Sequence, residues 1–349
     1  MVEYVAIFLA IQIEAARMIT PIESAWEPDL WRRELRHAIR SARELAQSIG
    51  VDPDRALQEP DFPVLVPRGF AARMRYGDPD DPLLKQVLAL PDENVAVDGF
   101  VKDPLHETVD GISKAPGLLQ KYKGRALMIA TGGCAVHCRY CFRRNFPYNE
   151  HTSAALRPAI DAVAQDASIE EVILSGGDPL LLDDQALASL IAELSEIPHL
   201  RRLRIHSRIP VVLPERITQA LLDLVMQCRL RVVVVVHANH ANELDVSTAR
   251  ALAALHDAGA WLLNQSVLLA GVNASAPIQY ALAHKLFEQK VMPYYLHMPD
   301  RVAGTHHFYV NDNEAASIYR QMQAELPGYL VAKLVREVPG ESAKKLLQD

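Results

Sequence analysis

The segment Glu171-Val172-Ile173-Leu174-Ser175-Gly176-Gly177-Asp178 decides how the chain is read. A short apolar run breaks off into a small, polar turn, and the same design recurs along the sequence. Strands are expected at 125–131, 171–175, 203–207, 231–237, 261–267 and 292–297, with a final one at 329–335. Amphipathic helices are expected near 154–166, 185–196, 214–228, 246–258 and 277–289, with a further helical segment at 313–325. Strands alternating with helices imply βαβ units and a parallel sheet. The near-continuous run Val232 to Val236 suits a strand buried on both faces. About six core strands are too few for a closed eight-fold barrel and fit a partial (β/α)6 barrel.

Almost every expected strand ends in a polar cluster. These are Thr131-Gly132-Gly133-Cys134, Ser175-Gly176-Gly177-Asp178, His206-Ser207-Arg208, His237-Ala238-Asn239-His240, Asn264-Gln265-Ser266, and His297 to Asp300. The active site of a parallel β/α barrel sits at the C-terminal ends of its strands. Upstream, residues 1–115 form a helical and loop-rich region, and the core spans 120–349. Asp29 is placed to cap one helix carrying Trp31, Leu35, Ala38, Ile39, Ala42, Leu45 and Ile49, which Gly50 ends. A proline-rich connection follows, and its default role is packing.

The chain has 349 residues, with 36 Lys+Arg against 43 Asp+Glu, a formal charge of −7. Half the residues are apolar and 23% are charged, an ordinary globular composition. The mild acidity argues against a nucleic-acid partner held by bulk electrostatics. No apolar run reaches the roughly 20 residues of a membrane span. The apolar start lacks a basic leader, so it is expected to be non-targeting, with Met18 a candidate start and residues 1–17 an upstream extension.

Three of the four cysteines lie within eight positions, Cys134-Ala-Val-His-Cys138-Arg-Tyr-Cys141, directly after the first barrel strand. This C-x3-C-x2-C spacing can ligate three irons of a cubane and leave the fourth open. The rivals are zinc, with His137 as an added ligand, or buried free thiols. Cys228 lies far from this loop and reads as a core residue. The grouping points to a metal centre in a reducing compartment, the cytoplasm.

The motif resembles that of the radical S-adenosylmethionine enzymes. Cys138-Arg-Tyr-Cys141-Phe-Arg143-Arg144 is similar to the Cys-Arg-x-Cys-x-Arg-Arg run of the lysine 2,3-aminomutases. Asn264 to Leu269 and Pro293-Tyr294-Tyr295 also match that family, and Val66-Pro67-Arg68, Asp80 to Leu84, Pro116 to Leu119 and Arg204 to Arg208 are similar to one branch of it. The likeness covers roughly residues 85 to 345, the whole core. It is strongest to the branch of that family that makes β-lysine for elongation factor P.

The resemblance implies a [4Fe-4S] cluster on Cys134, Cys138 and Cys141 that binds S-adenosyl-L-methionine at its open iron. It implies that Ser175, Gly176, Gly177 and Asp178 hold that cofactor's amino group, with Gln265 also at the cofactors. It implies a second cofactor, pyridoxal 5′-phosphate, on a Schiff-base lysine sixteen residues after the glycine of a Gly-Tyr pair. Counting from Gly328-Tyr329 gives Lys344, with Lys345 and Lys333 as rivals. Arg125 matches a phosphate-binding arginine. Lys121 stands where the family usually has a second arginine, which keeps the charge and loses the bidentate fork. Arg143 matches the position for the substrate's carboxylate. Asp300, and Glu337 seven residues before Lys344, match the two carboxylates that receive its ε-ammonium. The family usually has Asp where Glu337 stands. Free-standing aminomutases carry a C-terminal extension with zinc-binding cysteines; this sequence shows none, and no zinc is expected.

The implied reaction is a radical shift of the amino group of L-lysine from C2 to C3. The implied partners are L-lysine, an electron donor such as flavodoxin, and, indirectly, elongation factor P and its lysine ligase; a homodimer is a candidate assembly. Two other readings stay open. One is a metabolic lysine or glutamate aminomutase. The other is a non-catalytic scaffold that binds a cluster or zinc.

Overall fold

The computed structural model describes residues 29–107, 112–148 and 156–347. The expectations about residues 1–17 and Met18 lie outside the described residues. Ten strands form one sheet in strictly sequential order. A hairpin of β1 (Ser113–Ala115) and β2 (Leu118–Tyr122) runs antiparallel onto β3 (Arg125–Thr131). Every step from β3 to β9 is parallel: β4 (Glu171–Gly176), β5 (Arg202–Ser207), β6 (Arg231–Val236), β7 (Trp261–Val267), β8 (Met292–His297) and β9 (Lys333–Arg336). A two-residue strand, β10 (Lys345–Leu346), returns antiparallel on β9. A doubly wound sheet reverses its strand order at a switch point. This sheet never does. With right-handed crossovers, all connecting helices fall on one face and the sheet curls around the other. The result is the partial barrel expected from the sequence.

Burial alternates as the curl requires. In β5, Leu203, Ile205 and Ser207 are buried against the helix layer, while Arg202, Arg204 and His206 alternate with them. β7 alternates in the same way, with Gln265 on the less buried face. That face lines the lumen. Polar side chains start the helices: Asp183 before Asp184–Ser195, Thr218 before Gln219–Gln227, Asp245 before Val246–Asp257 and Asn311 before Asp312–Glu325 each accept a backbone N–H of the first turn. Among the described residues no helix is long and apolar enough to cross a membrane.

Four local expectations change. The single N-terminal helix is two, Leu30–Arg36 and Ala42–Ser48. Ile39 leaves the helical path to exchange both backbone bonds with Val66, and Ser41 caps the second helix. Asp29 caps nothing; its carboxylate takes the Arg32 guanidinium instead. The helix expected from 214 starts at Gln219, because Pro214–Arg216 forms its own turn. The last parallel strand starts at Lys333, because Gly328–Leu330 winds into a 3-10 turn. The β1–β2 hairpin, which carries no period-two signal, is an addition to the expected strands.

The expected boundary between 115 and 120 falls inside that hairpin. One apolar core runs from Trp31 and Phe70 through the strands and helices to Val291. Arg73 donates from the upstream region to the carbonyls of Val211 and Glu243 at 2.7 and 2.8 Å. Thr218→Ala removes the Oγ that accepts from Leu221 N at 3.2 Å, and is expected to cost about 1 kcal/mol, read as a lower urea midpoint with an unchanged slope.

Candidate active site

The cysteine loop hangs on a contact between two strand ends. Gly177 donates its N–H to the carbonyl of Thr131, and Asp178 to that of Gly133, both at 2.7 Å. Gly176 has φ +107°, and a Cβ there would sit 2.7 Å from the Thr131 oxygen. A Cβ on Gly177 would run into the Gly133 carbonyl. Glycine is therefore required at both positions. Cys134, Cys138 and Cys141 follow on this loop, all as free thiols. Burial, with repulsion from the other two sulfurs and Asp178, pushes the Cys134 thiol well up. Burial and the neighbouring Cys138 push Cys141 up to about 11. Such thiols give up their protons to a metal rather than to water.

His137, the candidate fourth ligand for zinc, is engaged elsewhere. Its Nδ1 lies 2.9 Å from the Pro63 carbonyl, and its ring stacks on Phe62 at 5.1 Å. Among the described residues, no three His, Cys, Asp or Glu side chains are gathered around a single-ion position. A cubane places each thiolate on a different iron, which three thiols of one loop can supply. The donor set fits the cluster.

Asp178 is fully engaged by protein donors. Its oxygens accept from the Ser207 hydroxyl at 2.7 Å and from the backbone N–H groups of Arg208, Ile209 and Leu180 at 2.8, 3.1 and 3.2 Å. The side chain thus ties the turn after β4 to the turn after β5, while in the preceding backbone the Gly176 carbonyl accepts the Tyr148 hydroxyl at 2.6 Å. Two arginines of the cysteine motif are also structural: Arg139 and Arg144 both pair with the buried carboxylate of Glu93.

Below the loop lies an alternating chain of buried charges. Arg143 grips Glu107 with two donors, at 2.6 and 2.8 Å, and reaches the Ser175 hydroxyl at 3.3 Å. Lys121 bridges Glu107 at 2.9 Å and Glu337 at 2.6 Å. Lys344 pairs with the other oxygen of Glu337. Burial raises the Glu337 carboxyl, but Lys344 and Lys121 outweigh it and hold the group at about 2. Asp300 stands beside this chain without an ion pair among the described residues; burial and the Glu337 charge push its carboxyl up to about 7. A cavity of about 420 Å³ opens there, lined by Asp300, Glu337, Arg301, Arg336 and Tyr309. Arg125 makes no ion pair among the described residues, and its guanidinium lies 4.6 Å over the Tyr122 ring. Lys333 is exposed. Lys345 pairs in the sheet with Arg336 and is also exposed.

The lumen also holds three neutral rings. His206, His237 and His297 lie buried, and burial holds all three rings deprotonated, His237 and His297 at about 3. Gln265 donates to the Nε2 of His237 at 2.8 Å, which places that ring's proton on Nδ1. The Nε2 atoms of His206 and His297 are buried without a partner. Unsatisfied buried polar atoms of this kind fit a polar ring bound among them. Glu107 escaped the sequence reading, since nothing in its proline-rich surroundings marks it as the partner of Arg143. The lumen face of β5 could have been found from the alternation of Arg202, Arg204 and His206.

The family model that matches is the radical SAM superfamily, over residues 128–275. An L-lysine 2,3-aminomutase of Escherichia coli (strain K12) is 46% identical over 321 residues, 90% of this chain and 93% of its own length. The Haemophilus influenzae protein of the same name is 45% identical, over 92% of this chain and 96% of its own. The Clostridium subterminale one is 35% identical, over 90% of this chain and 76% of its own. A solved radical SAM methyltransferase from Sphaerobacter thermophilus is more distant, at 16% identity and TM-score 0.41 over 63% of this chain and 68% of that one.

Two outcomes follow from this geometry. Gly177→Ala is expected to disrupt the loop contact and reduce iron uptake on anaerobic reconstitution several-fold, measured as iron per chain. Asp300 holds a proton in the native state between its ordinary 3.8 and about 7, so stability falls as pH rises through that window. Asp300→Asn is therefore expected to melt a few degrees above the original protein at pH 8, with the gap closing toward pH 4, followed by calorimetry.

Proposed function

We propose that this chain, which belongs to the L-lysine 2,3-aminomutases of the radical SAM superfamily, converts L-lysine to β-lysine by moving the amino group from C2 to C3. The observation that carries the substrate is the arrangement of charge. Arg143 offers a cation for a carboxylate, while Asp300 and Glu337 offer anions for an ε-ammonium, with Lys344 on the same glutamate. Two anions at the far end would repel a glutamate side chain.

Cys134, Cys138 and Cys141 would hold the [4Fe-4S] cluster, and the backbone turn Ser175 to Gly177 the amino group of S-adenosyl-L-methionine. Lys344 would hold pyridoxal phosphate, with Arg125 and Lys121 at its phosphate. When bound, the cluster and S-adenosyl-L-methionine supply an organic radical that removes and returns a hydrogen, and the pyridoxal ring carries the migrating nitrogen. The protein's own part is to place and to exclude. Lys344 must leave Glu337 and lose its proton before it can act as a nucleophile. Its departure frees that glutamate for the substrate's ammonium. Glu107 must share Arg143 when a carboxylate arrives. The three neutral histidines and Gln265 line the lumen without adding charge beside the reacting carbons.

The product is proposed to serve the modification of elongation factor P through its lysine ligase, in the cytoplasm, with a flavodoxin-type electron donor. The motifs shared with that branch support this role.

Anaerobic protein supplied with iron, sulfide, pyridoxal phosphate, S-adenosyl-L-methionine, reductant and L-lysine is expected to form β-lysine, detected by mass spectrometry. Cys138→Ala and Lys344→Ala are each expected to abolish it, and glutamate is expected to be inert; deoxyadenosine without β-lysine would refute the substrate. The carboxyl of Asp300 lies at about 7, so the KM for lysine should rise as pH falls below that value. Asp300→Asn should raise KM roughly 10- to 100-fold at pH 8 and flatten this dependence.

A further inference from the structure

Arg208 is a buried cation aimed at a cluster cysteine. Its Nη1 donates to the Sγ of Cys138 at 2.7 Å. Its Nη2 donates to Gln86 Oε1 at 2.7 Å and to Glu243 Oε2 at 3.0 Å. Its Nε is buried without a partner. The side chain is only 6% exposed, and Glu243 is fully buried. The brace behind it is rigid. The other oxygen of Glu243 takes the N–H groups of Asn239 and His240 at 2.8 and 3.0 Å and the Gln86 amide at 3.1 Å. The backbone N–H of Arg208 is held by Asp178 at 2.8 Å.

A guanidinium is expensive to bury and is normally saturated with acceptors. Here one carboxylate and one amide oxygen hold one end of the fork. The rest faces a sulfur and leaves a donor unused. Hydrogen bonds and positive charge at the ligating sulfurs of a cluster stabilise its more negative, reduced state.

We propose that Arg208 is a positioning residue for the cluster, acting through Cys138: its guanidinium, braced by Glu243 and Gln86, raises the reduction potential of the iron–sulfur centre. The inference rests on the reading of Cys134, Cys138 and Cys141 as cluster ligands. It assigns Arg208 no contact with substrate. Removing its charge should make the cluster harder to reduce. Removing the opposing charge of Glu243 should make it easier.

The test is a redox titration of the reconstituted full chain, without substrate, with the reduced cluster quantified by electron paramagnetic resonance. The solution is poised where the original protein is half reduced. Arg208→Gln is expected to lower the reduced-to-oxidised ratio about tenfold, equivalent to 59 mV for a one-electron couple. Glu243→Gln should raise the ratio, and Arg208→Lys, which keeps the charge and loses the fork, should fall between the original and Arg208→Gln. An Arg208→Gln protein with full iron and sulfide and an unchanged ratio overturns the proposal. Should that variant hold no iron, Glu243→Gln decides: a raised ratio supports the proposal, and an unchanged one overturns it. An original protein that loads no cluster removes the cluster reading itself, which distinguishes the two failures.

Discussion

The architecture of the site depends on the backbone contact between the ends of β3 and β4. Two hydrogen bonds and the absence of side chains at Gly176 and Gly177 let two strand-end turns approach closer than any Cβ would allow. That approach sets where the cysteine loop begins. It also sets Asp178, whose carboxylate then fixes the turn after β5 through three donors. The turn after β5 in turn carries Arg208 back to Cys138. A single steric constraint is thus passed through a hydrogen-bonded carboxylate to the metal-binding loop.

The charges below the cysteine loop obey a second constraint: five of them are joined in one chain of ion pairs. Arg143, Glu107, Lys121, Glu337 and Lys344 alternate in sign. Removing one member of such a chain leaves its neighbours uncompensated, which costs more than the pair contributed. On the proposed reading, ligand binding would be an exchange of partners: a substrate carboxylate would compete with Glu107, and a substrate ammonium would take the place that Lys344 holds on Glu337. Affinity is then the difference between two sets of ion pairs. This favours a ligand that carries both charges at the right separation over one that carries only one.

The sequence showed the parallel core because short buried strands such as Glu171–Gly176 and Arg231–Val236 are apolar over most of their length. It showed the metal loop because three thiols at this close, regular spacing suit metal ligation far better than core packing. It showed neither Glu107 nor the brace at Glu243, because their roles arise from contacts 36 and 35 residues away along the chain. It merged two N-terminal helices, since one helical period runs through both. What breaks the period is a tertiary bond from Ile39 to Val66, which no local pattern encodes. The partners of Asp178 illustrate the same limit: the motif does not announce that its carboxylate is engaged by Ser207, Arg208, Ile209 and Leu180.

Lys344 sits beside the least secure element of the sheet. β10 has two paired residues, Lys345 with Arg336 and Leu346 with Val335, plus a bond from Leu347 to the Leu334 carbonyl. Both strand residues are exposed. The turn between β9 and β10 carries Glu337 at one end and Lys344 at the other, so their ion pair closes the hairpin on which both stand. A hairpin this short is marginal without tertiary support. Its geometry is set by what the two side chains bind, and here they bind each other across the lumen mouth beside Asp300. A cofactor held by Lys344 and a substrate held by Glu337 would replace that closure with one running through the ligands. The edge of the barrel, its weakest part mechanically, is then the part whose order depends most on occupancy.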